Sequence, residues 1–246
     1  MSYNSTIEWT ESSWNPVTGC TKISEGCKNC YAERMAIRLK AMKQKKYENG
    51  FELAVHEEIF DLPKSWERPQ MIFVNSMSDL FHESLSYDVI EKIFLTMNEC
   101  NWHTFQVLTK RSNILMKYNN CLNWTKNIWM GVTVENDMYL ERIDDLRRCG
   151  AQVKFISFEP LLSRIEEIDL TGIDWIIVGG ESGPGSRTME KEWVYEIRDM
   201  CVRQKVPFFF KQWGGMKKKK NGRLIDNELW NEMPVIRNSP VFKTTG

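Results

Sequence analysis

Short apolar runs alternate along this chain with amphipathic stretches. The runs are Met71–Val74, Thr104–Leu108, Ile128–Val134, Val153–Phe158, Trp175–Val178 and Pro207–Phe210. They are β-branched or aromatic and nearly continuous, which is how strands covered on both faces of a parallel sheet read. Between them apolar positions recur at helical spacing. Ser86 is placed to cap a helix running to about Cys100, with Val89, Ile90, Ile93, Phe94 and Met97 on one face. Asn136 to Arg148 is expected to turn Met138, Ile143 and Leu146 inward, with Gly150 suited to its end. Trp193, Val194, Ile197 and Cys201 mark a helix from Met189 to about Gln204. Another, from Ala32 to about Lys46, has Met35, Leu39 and Met42 as its apolar stripe. Arg111–Asn119 and Leu161–Leu170 are weaker connections.

Strands alternating with helices imply right-handed βαβ units and a parallel sheet. A short strand before Cys20 brings the total to about seven. The expected fold class is α/β, a full or partial parallel (β/α) barrel of the TIM-like kind, with a doubly wound open sheet as the alternative. Residues 1–215 are expected to form one barrel domain. Residues 216–246 would be an extension packed on it, containing a small hairpin (Arg223–Ile225, Leu229–Trp230).

Charge and cysteine usage narrow the classes. Lysines and arginines number 33, as do the acidic residues, so nothing drives the whole chain toward nucleic acid or membrane. No run of eighteen apolar residues occurs and Met1–Glu11 is polar, so neither a membrane span nor a signal peptide is expected. Of seven cysteines, Cys100, Cys121, Cys149 and Cys201 are scattered. That argues against a disulfide framework and for a cytoplasmic protein.

The other three cysteines fall in Asn15-Pro16-Val17-Thr18-Gly19-Cys20 through Gly26-Cys27-Lys28-Asn29-Cys30-Tyr31-Ala32, spaced C-x6-C-x2-C. Cys27 and Cys30 can turn around one metal or cluster, and Cys20 can reach it through the loop of six. Gly19 and Gly26 each precede a cysteine, where backbone close to a metal needs unusual dihedrals. Three thiolates are an incomplete set, because structural zinc and ordinary iron–sulfur clusters each take four protein ligands. Either a distant residue completes the site or one position is open for a small molecule. Among His56, His82 and His103, His82 is best placed for an active-site role, beside Asp79 and Glu83.

In a parallel barrel the active site gathers at the C-terminal strand ends. There the chain places Asn75-Ser76-Met77-Ser78-Asp79, Thr109-Lys110-Arg111, Glu135-Asn136, Glu159-Pro160, Gly179-Gly180-Glu181-Ser182-Gly183 and Lys211-Gln212-Trp213. Asp79, Glu135, Glu159 and Glu181 against Lys110, Arg111 and Lys211 make a mouth of mixed sign, which suits a zwitterion. The glycines of Gly179–Gly185 either let backbone approach a ligand or simply make a tight turn. They match neither a P-loop nor a dinucleotide fingerprint. Lys217–Lys220 is a solvated loop or, beside a barrel mouth, a grip for phosphates.

These residues carry a family likeness. Three cysteines after the first strand of a (β/α) barrel resemble the radical S-adenosylmethionine (radical SAM) superfamily, although its commonest spacing is C-x3-C-x2-C. The segment from Asn15-Pro16 to Cys30-Tyr31-Ala32, with Ser78-Asp79, Thr109-Lys110-Arg111, and Gly131-Val132-Thr133-Val134 followed by Arg142-Ile143-x-x-Leu146, resembles its spore-photoproduct-lyase-like branch. Along essentially the whole chain, six segments are similar to the phage-associated three-Cys-motif family of unknown function. They are Trp14–Cys20, Phe73–His82, Leu108–Arg111, Ser157–Leu162, Gly179–Gly183 and Phe208–Gly214.

The resemblance implies an iron–sulfur enzyme. Cys20, Cys27 and Cys30 would hold three irons of a [4Fe–4S] cluster. The fourth iron would take the amino and carboxylate groups of S-adenosylmethionine, which is cleaved to a 5′-deoxyadenosyl radical. Lys110 or Arg111 would hold the methionine carboxylate. Ser76, Ser78, Asp79 and Glu135 are candidates for its ammonium and ribose, Tyr31 for cluster or adenine, and Gly179 and Gly180 for backbone contact. Glu159, Glu181 and Lys211 are the candidate catalytic residues, and His82, Gln212 and Trp213 the substrate contacts. DNA, RNA or a nucleotide is the candidate substrate, with Trp213 stacking a base. An electron donor and a partner protein complete the expected partners. The rivals are a zinc protein using the cysteines and a histidine, as hydrolase or nucleic-acid-binding module, and a noncatalytic phage accessory protein.

Overall fold

The computed structural model describes Ser5 and residues 7–235. Its frame is seven strands: β1 (Ser12–Trp14), β2 (Met71–Val74), β3 (Thr104–Thr109), β4 (Ile128–Thr133), β5 (Val153–Phe158), β6 (Trp175–Gly179) and β7 (Phe208–Gln212). They pair side by side in chain order, and every pair is parallel. Among the described residues β1 and β7 do not pair, so the barrel is partial. The crossovers carry helices α1 (Tyr31–Ala41), α2 (Tyr87–Glu99), α3 (Ser112–Tyr118), α4 (Glu141–Arg148) and α5 (Lys191–Gln204). No helix is long and apolar enough to cross a membrane among the described residues.

The curl of the sheet can be read from one side chain. Trp9 puts its ring 4.6 Å from Phe73 on β2, 6.3 Å from Phe155 on β5 and 6.2 Å from Trp175 on β6. In a flat sheet β2 and β6 would lie about 19 Å apart. One indole reaches both because the strands wrap around it. Trp9, Phe73, Trp129, Phe155, Trp175 and Phe209 thus fill the lower interior as an aromatic plug. The outward faces of the same strands pack with the helices into the main core, around Ile72, Val107, Ile156, Val178 and Phe210.

Above the plug the inward positions shrink. On β4 the alternation runs Trp129, Gly131, Thr133; on β5 it runs Phe155, Ser157 and then Glu159. A side chain at Gly131 would meet the Phe155 ring at 2.4 Å, so the plug occupies the room its Cβ would need. Small and polar residues at the upper layer leave a hollow at the C-terminal strand ends.

Several elements depart from the sequence expectation. Of the two weaker connections, 111–119 holds α3 and 161–170 forms no helix. The helix after the cysteines stops at Ala41, and Met35 and Met42 of its expected stripe are exposed. Its inward face is Ala32 and Ala36 against Met77, because the helix lies too close for larger side chains. Asn136 accepts a hydrogen bond from the Met138 amide (3.0 Å), starting a separate 3-10 turn over Asp137–Tyr139. That turn breaks the helical phase and leaves Met138 74% exposed. The C-terminal hairpin pairs Leu224–Ile225 with Glu228–Leu229. Trp230 and Glu232 then bond to Phe210 and Phe208, which covers the free edge of β7. Residues 236–246 of the expected extension lie outside the described residues.

Candidate functional site

The hollow is a cavity of about 430 Å³. Cys20, Cys27 and Cys30 line it, as do Tyr31, Ser76, Ser78, Asp79, Lys110, Arg111, Glu159, Gly180, Glu181, Lys211 and Gln212. Four of the expected site residues stand elsewhere. Glu135 is wholly buried behind the cysteine loop and Gly179 lies beneath Glu159. His82 is turned to Thr21, and Trp213 packs on Phe210 with its Nε1 donating to the Leu224 carbonyl at 2.8 Å.

Arg111 anchors the first cysteine. Its side chain is buried and donates to Asp79 (3.2 Å), Glu83 (2.5 Å), the Cys20 sulfur (3.4 Å), and both the carbonyl (3.1 Å) and hydroxyl (2.8 Å) of Thr21. These contacts engage all five guanidinium N–H groups. Asp79 is itself held by the Thr109 hydroxyl (2.7 Å) and by the amides of Phe81 (3.0 Å) and Lys110 (3.1 Å). Burial raises the Glu83 carboxyl, but bonds from Arg111 and Thr21 outweigh it and bring it down to about 2.

Glu135, from the end of β4, supports the next part of the loop. Its carboxylate accepts from Arg142 (2.9 Å) and from the Ser24 hydroxyl (2.5 Å), with Lys110 Nζ at 3.3 Å. Burial opposes its charge, yet Lys110, Arg142 and Ser24 prevail and hold it below the ordinary carboxylate value. Gly26 crosses directly over this carboxylate, where a Cβ would fall 2.5 Å from it. Its backbone is ordinary, so close approach is what requires glycine there. Gly19 does adopt the unusual backbone expected, with φ +83°.

A clasp from β6 holds the Cys27–Cys30 turn. Glu181 accepts from Asn29 (2.9 Å) and from Arg187 through its amide (2.9 Å), Nε (3.0 Å) and terminal nitrogen (2.6 Å). Arg187 also donates to the Glu25 carbonyl (2.9 Å), and Asn29 to the Gly185 carbonyl (2.8 Å). Both flanks of Cys27 are therefore tied to one buried carboxylate. Asn29, Arg187, Ser24 and the plug residue Trp9 were not singled out from the sequence. An asparagine inside a C-x2-C turn is the one signal that could have marked this clasp.

The thiols differ in environment. Burial, then the Asp79 charge, pushes Cys20 up to about 11, against the pull of Arg111. Burial also works to raise Cys27, but Lys110 and hydrogen bonding to Ser24 leave it below its ordinary value. Among the described residues no three Cys, His, Asp or Glu side chains converge where one ion could take them all. Every histidine is engaged elsewhere. His56 faces Thr18 (2.8 Å), His82 faces Thr21 (3.0 Å) and the Ser84 amide (3.1 Å), and His103 faces the Gln70 amide and Pro63 carbonyl (both 3.1 Å). Across the cavity Lys211 Nζ lies 2.5 Å from Glu159. The side-chain polar atoms Asn75 Nδ2, Ser78 Oγ, Ser157 Oγ and Gln212 Oε1 are buried at its wall and find no hydrogen-bond partner among the described residues.

A family model described as "Protein of unknown function (DUF5131)" matches residues 4–234. The chain belongs to the DUF5131 family. No curated protein matches it. Two solved structures are similar to this DUF5131 chain. One is spore photoproduct lyase complexed with dinucleoside spore photoproduct, at TM-score 0.44 and 11% identity, covering 76% of this chain and 59% of that one. The other is a double mutant of the lyase with bound AdoMet and dinucleoside spore photoproduct, at TM-score 0.45 and 10% identity, covering 77% and 60%. The chain thus spans about three-fifths of the length of those lyase chains.

Proposed function

We infer that this protein is a radical SAM-type enzyme whose Cys20, Cys27 and Cys30 hold a [4Fe–4S] cluster beside a site for S-adenosylmethionine. The observation that carries this reading is three thiols on the rim of one cavity, with no histidine ring nitrogen turned toward them. A zinc ion needs its donors gathered on a point. A cluster gives each cysteine its own iron, so its thiols stand further apart around a shared centre than those of a single ion. When bound, the cluster would supply the electron that cleaves S-adenosylmethionine and opens radical chemistry on a substrate.

The protein's own residues orient and enclose. Arg111, with every donor engaged, fixes Cys20 and is not free for a ligand carboxylate. Lys110, at the cavity wall and facing Glu135, is the cation available for it. The unpartnered Ser78 and Asn75 atoms suit the ammonium and ribose side. The Glu159–Lys211 pair, Ser157 and Gln212 line the opposite wall and face the substrate.

Anaerobic reconstitution with metal analysis tests this. A brown protein with about four irons and four sulfides per chain is expected, releasing 5′-deoxyadenosine when given reductant and S-adenosylmethionine. A colourless protein with one zinc per chain overturns the reading.

A further inference from the structure

The zero net charge conceals an uneven distribution of cations. Residues 22–46 carry eight lysines and arginines against two glutamates, and residues 217–223 carry five cations and no carboxylate. On α4 and α5 the arginines are matched: Arg147, Arg148, Arg198 and Arg203 have carboxylates at 2.6, 2.5, 2.8 and 2.9 Å. On and just after α1, Arg38, Lys40, Lys43 and Lys45 are exposed, and among the described residues no carboxylate pairs with them. The same holds for Lys217 and Lys220. Like charges left unpaired in one region repel one another, and a polyanion relieves that repulsion.

Their place in the fold adds a direction. Both segments leave the edge strands of the partial barrel at their C-terminal ends, α1 after β1 and residues 217–223 after β7. Arg34 of α1 donates to the Ser182 carbonyl (2.5 Å), and the Gly183 amide to the Gly215 carbonyl (3.1 Å), so one loop joins both cationic segments beside the cavity mouth. Tyr31 opens α1 at the cavity wall, and the helix carries its cations outward over about 16 Å, the rise of roughly five nucleotides of one strand.

We propose that this cationic brim binds the phosphodiester backbone of a single-stranded nucleic acid and presents one base to the cavity. The aromatic content of the site favours this partner over an acidic protein. Tyr31 is 50% exposed while its hydroxyl donates to the Ser76 carbonyl, which holds the ring in place for stacking. Below it Trp9, Phe51 and Phe73 form apolar walls, and the unpartnered atoms of Ser157 and Gln212 offer bonds to a base edge. An acidic protein surface would have no use for such a pocket.

The test is fluorescence anisotropy with a labelled single-stranded 20-mer, titrated at several salt concentrations. It needs no metal, so its outcome is independent of the cluster reading. Binding should weaken with salt at a log–log slope of about −3 to −4, from roughly 0.7 per phosphate contact. Arg38→Glu/Lys40→Glu/Lys43→Glu should weaken binding at least ~10-fold and flatten the slope by about 2, and Lys217→Glu/Lys220→Glu should weaken it too. These side chains are exposed, and unchanged circular dichroism melts confirm folded variants; the corresponding Gln variants replace any that melt early. Salt-insensitive binding, wild-type affinity in both variants, or equal displacement by polyglutamate of matched charge overturns the proposal, the last in favour of an acidic protein.

Discussion

Replacing Arg111 by methionine removes the charge while keeping most of the side-chain length. Arg111 and Asp79 are both buried, at 4% and 6% exposure. Taking away the arginine leaves the Asp79 carboxylate without its cation in a place water reaches poorly. Breaking a buried pair in this way costs about 3–5 kcal/mol. Asp79 keeps three other hydrogen bonds, from Thr109, Phe81 and Lys110, which puts the loss at the lower end. The Glu83 arm adds little, because that carboxylate is 48% exposed and exposed pairs contribute about 0–1 kcal/mol. Arg111→Met should therefore lose about 3 kcal/mol in urea unfolding at neutral pH. Asp79→Asn/Arg111→Met should lose less than the sum of the two single variants, by about 2 kcal/mol, since the stranded charge is gone. Arg111→Met should also speed tryptic cleavage at Lys22 and Lys28, whose loop loses its anchor at Thr21. A loss below about 1 kcal/mol, or strictly additive single variants, would refute the account of Arg111 as the buried anchor.

Gly131→Ala should destabilise by at least about 1–3 kcal/mol in thermal melts, because its Cβ enters the Phe155 ring inside a filled plug; a neutral substitution contradicts the plug. Glu181→Gln weakens the hold of Asn29 and Arg187 on both flanks of Cys27, and should lower both the melting temperature and the iron retained per chain under chelator challenge. Equal iron retention removes Glu181 from that role. Acid should unfold the protein through its depressed carboxylates. Glu135 and Glu181, both buried, contribute stability that is complete above the unfolded carboxylate value of 4.5 and is lost as pH falls through their depressed values. Urea midpoints measured between pH 6 and 2.5 should fall as these carboxylates are protonated, and a flat profile contradicts the account.

The strands were legible because most of their residues are buried on both faces, so Met71–Val74 or Trp175–Val178 reads as an unbroken apolar run. The cysteines and polar strand ends were legible for a related reason: parallel strands send all their C-terminal loops to one face. What escaped was which polar groups serve each other. Glu135 and Arg111 read as free ligands for a zwitterion, yet one lies between Arg142, Lys110 and Ser24 and the other between Asp79 and Glu83. Charge type is local in sequence, whereas pairing depends on partners such as Ser24 and Glu135, 111 positions apart. The stripe on α1 misled because large apolar residues dominate a periodicity count, while close packing selected Ala32 and Ala36.

The same pairing explains why the cysteine loop can be long. Its thiols span C-x6-C-x2-C, and the six residues after Cys20 are not left to a metal to organise. Arg111 holds Thr21 from β3, Glu135 holds Ser24 from β4, and Glu181 with Arg187 holds Glu25 and Asn29 from beyond β6. Each intervening stretch of loop has a partner on a strand end whose position the sheet fixes. A loop shaped by its scaffold loses little conformational freedom when ligands bind, unlike a small zinc module in which metal binding drives folding. Those polar strand ends therefore act first on the protein itself, while Lys110, the Glu159–Lys211 pair and the unpartnered atoms stand at the cavity wall.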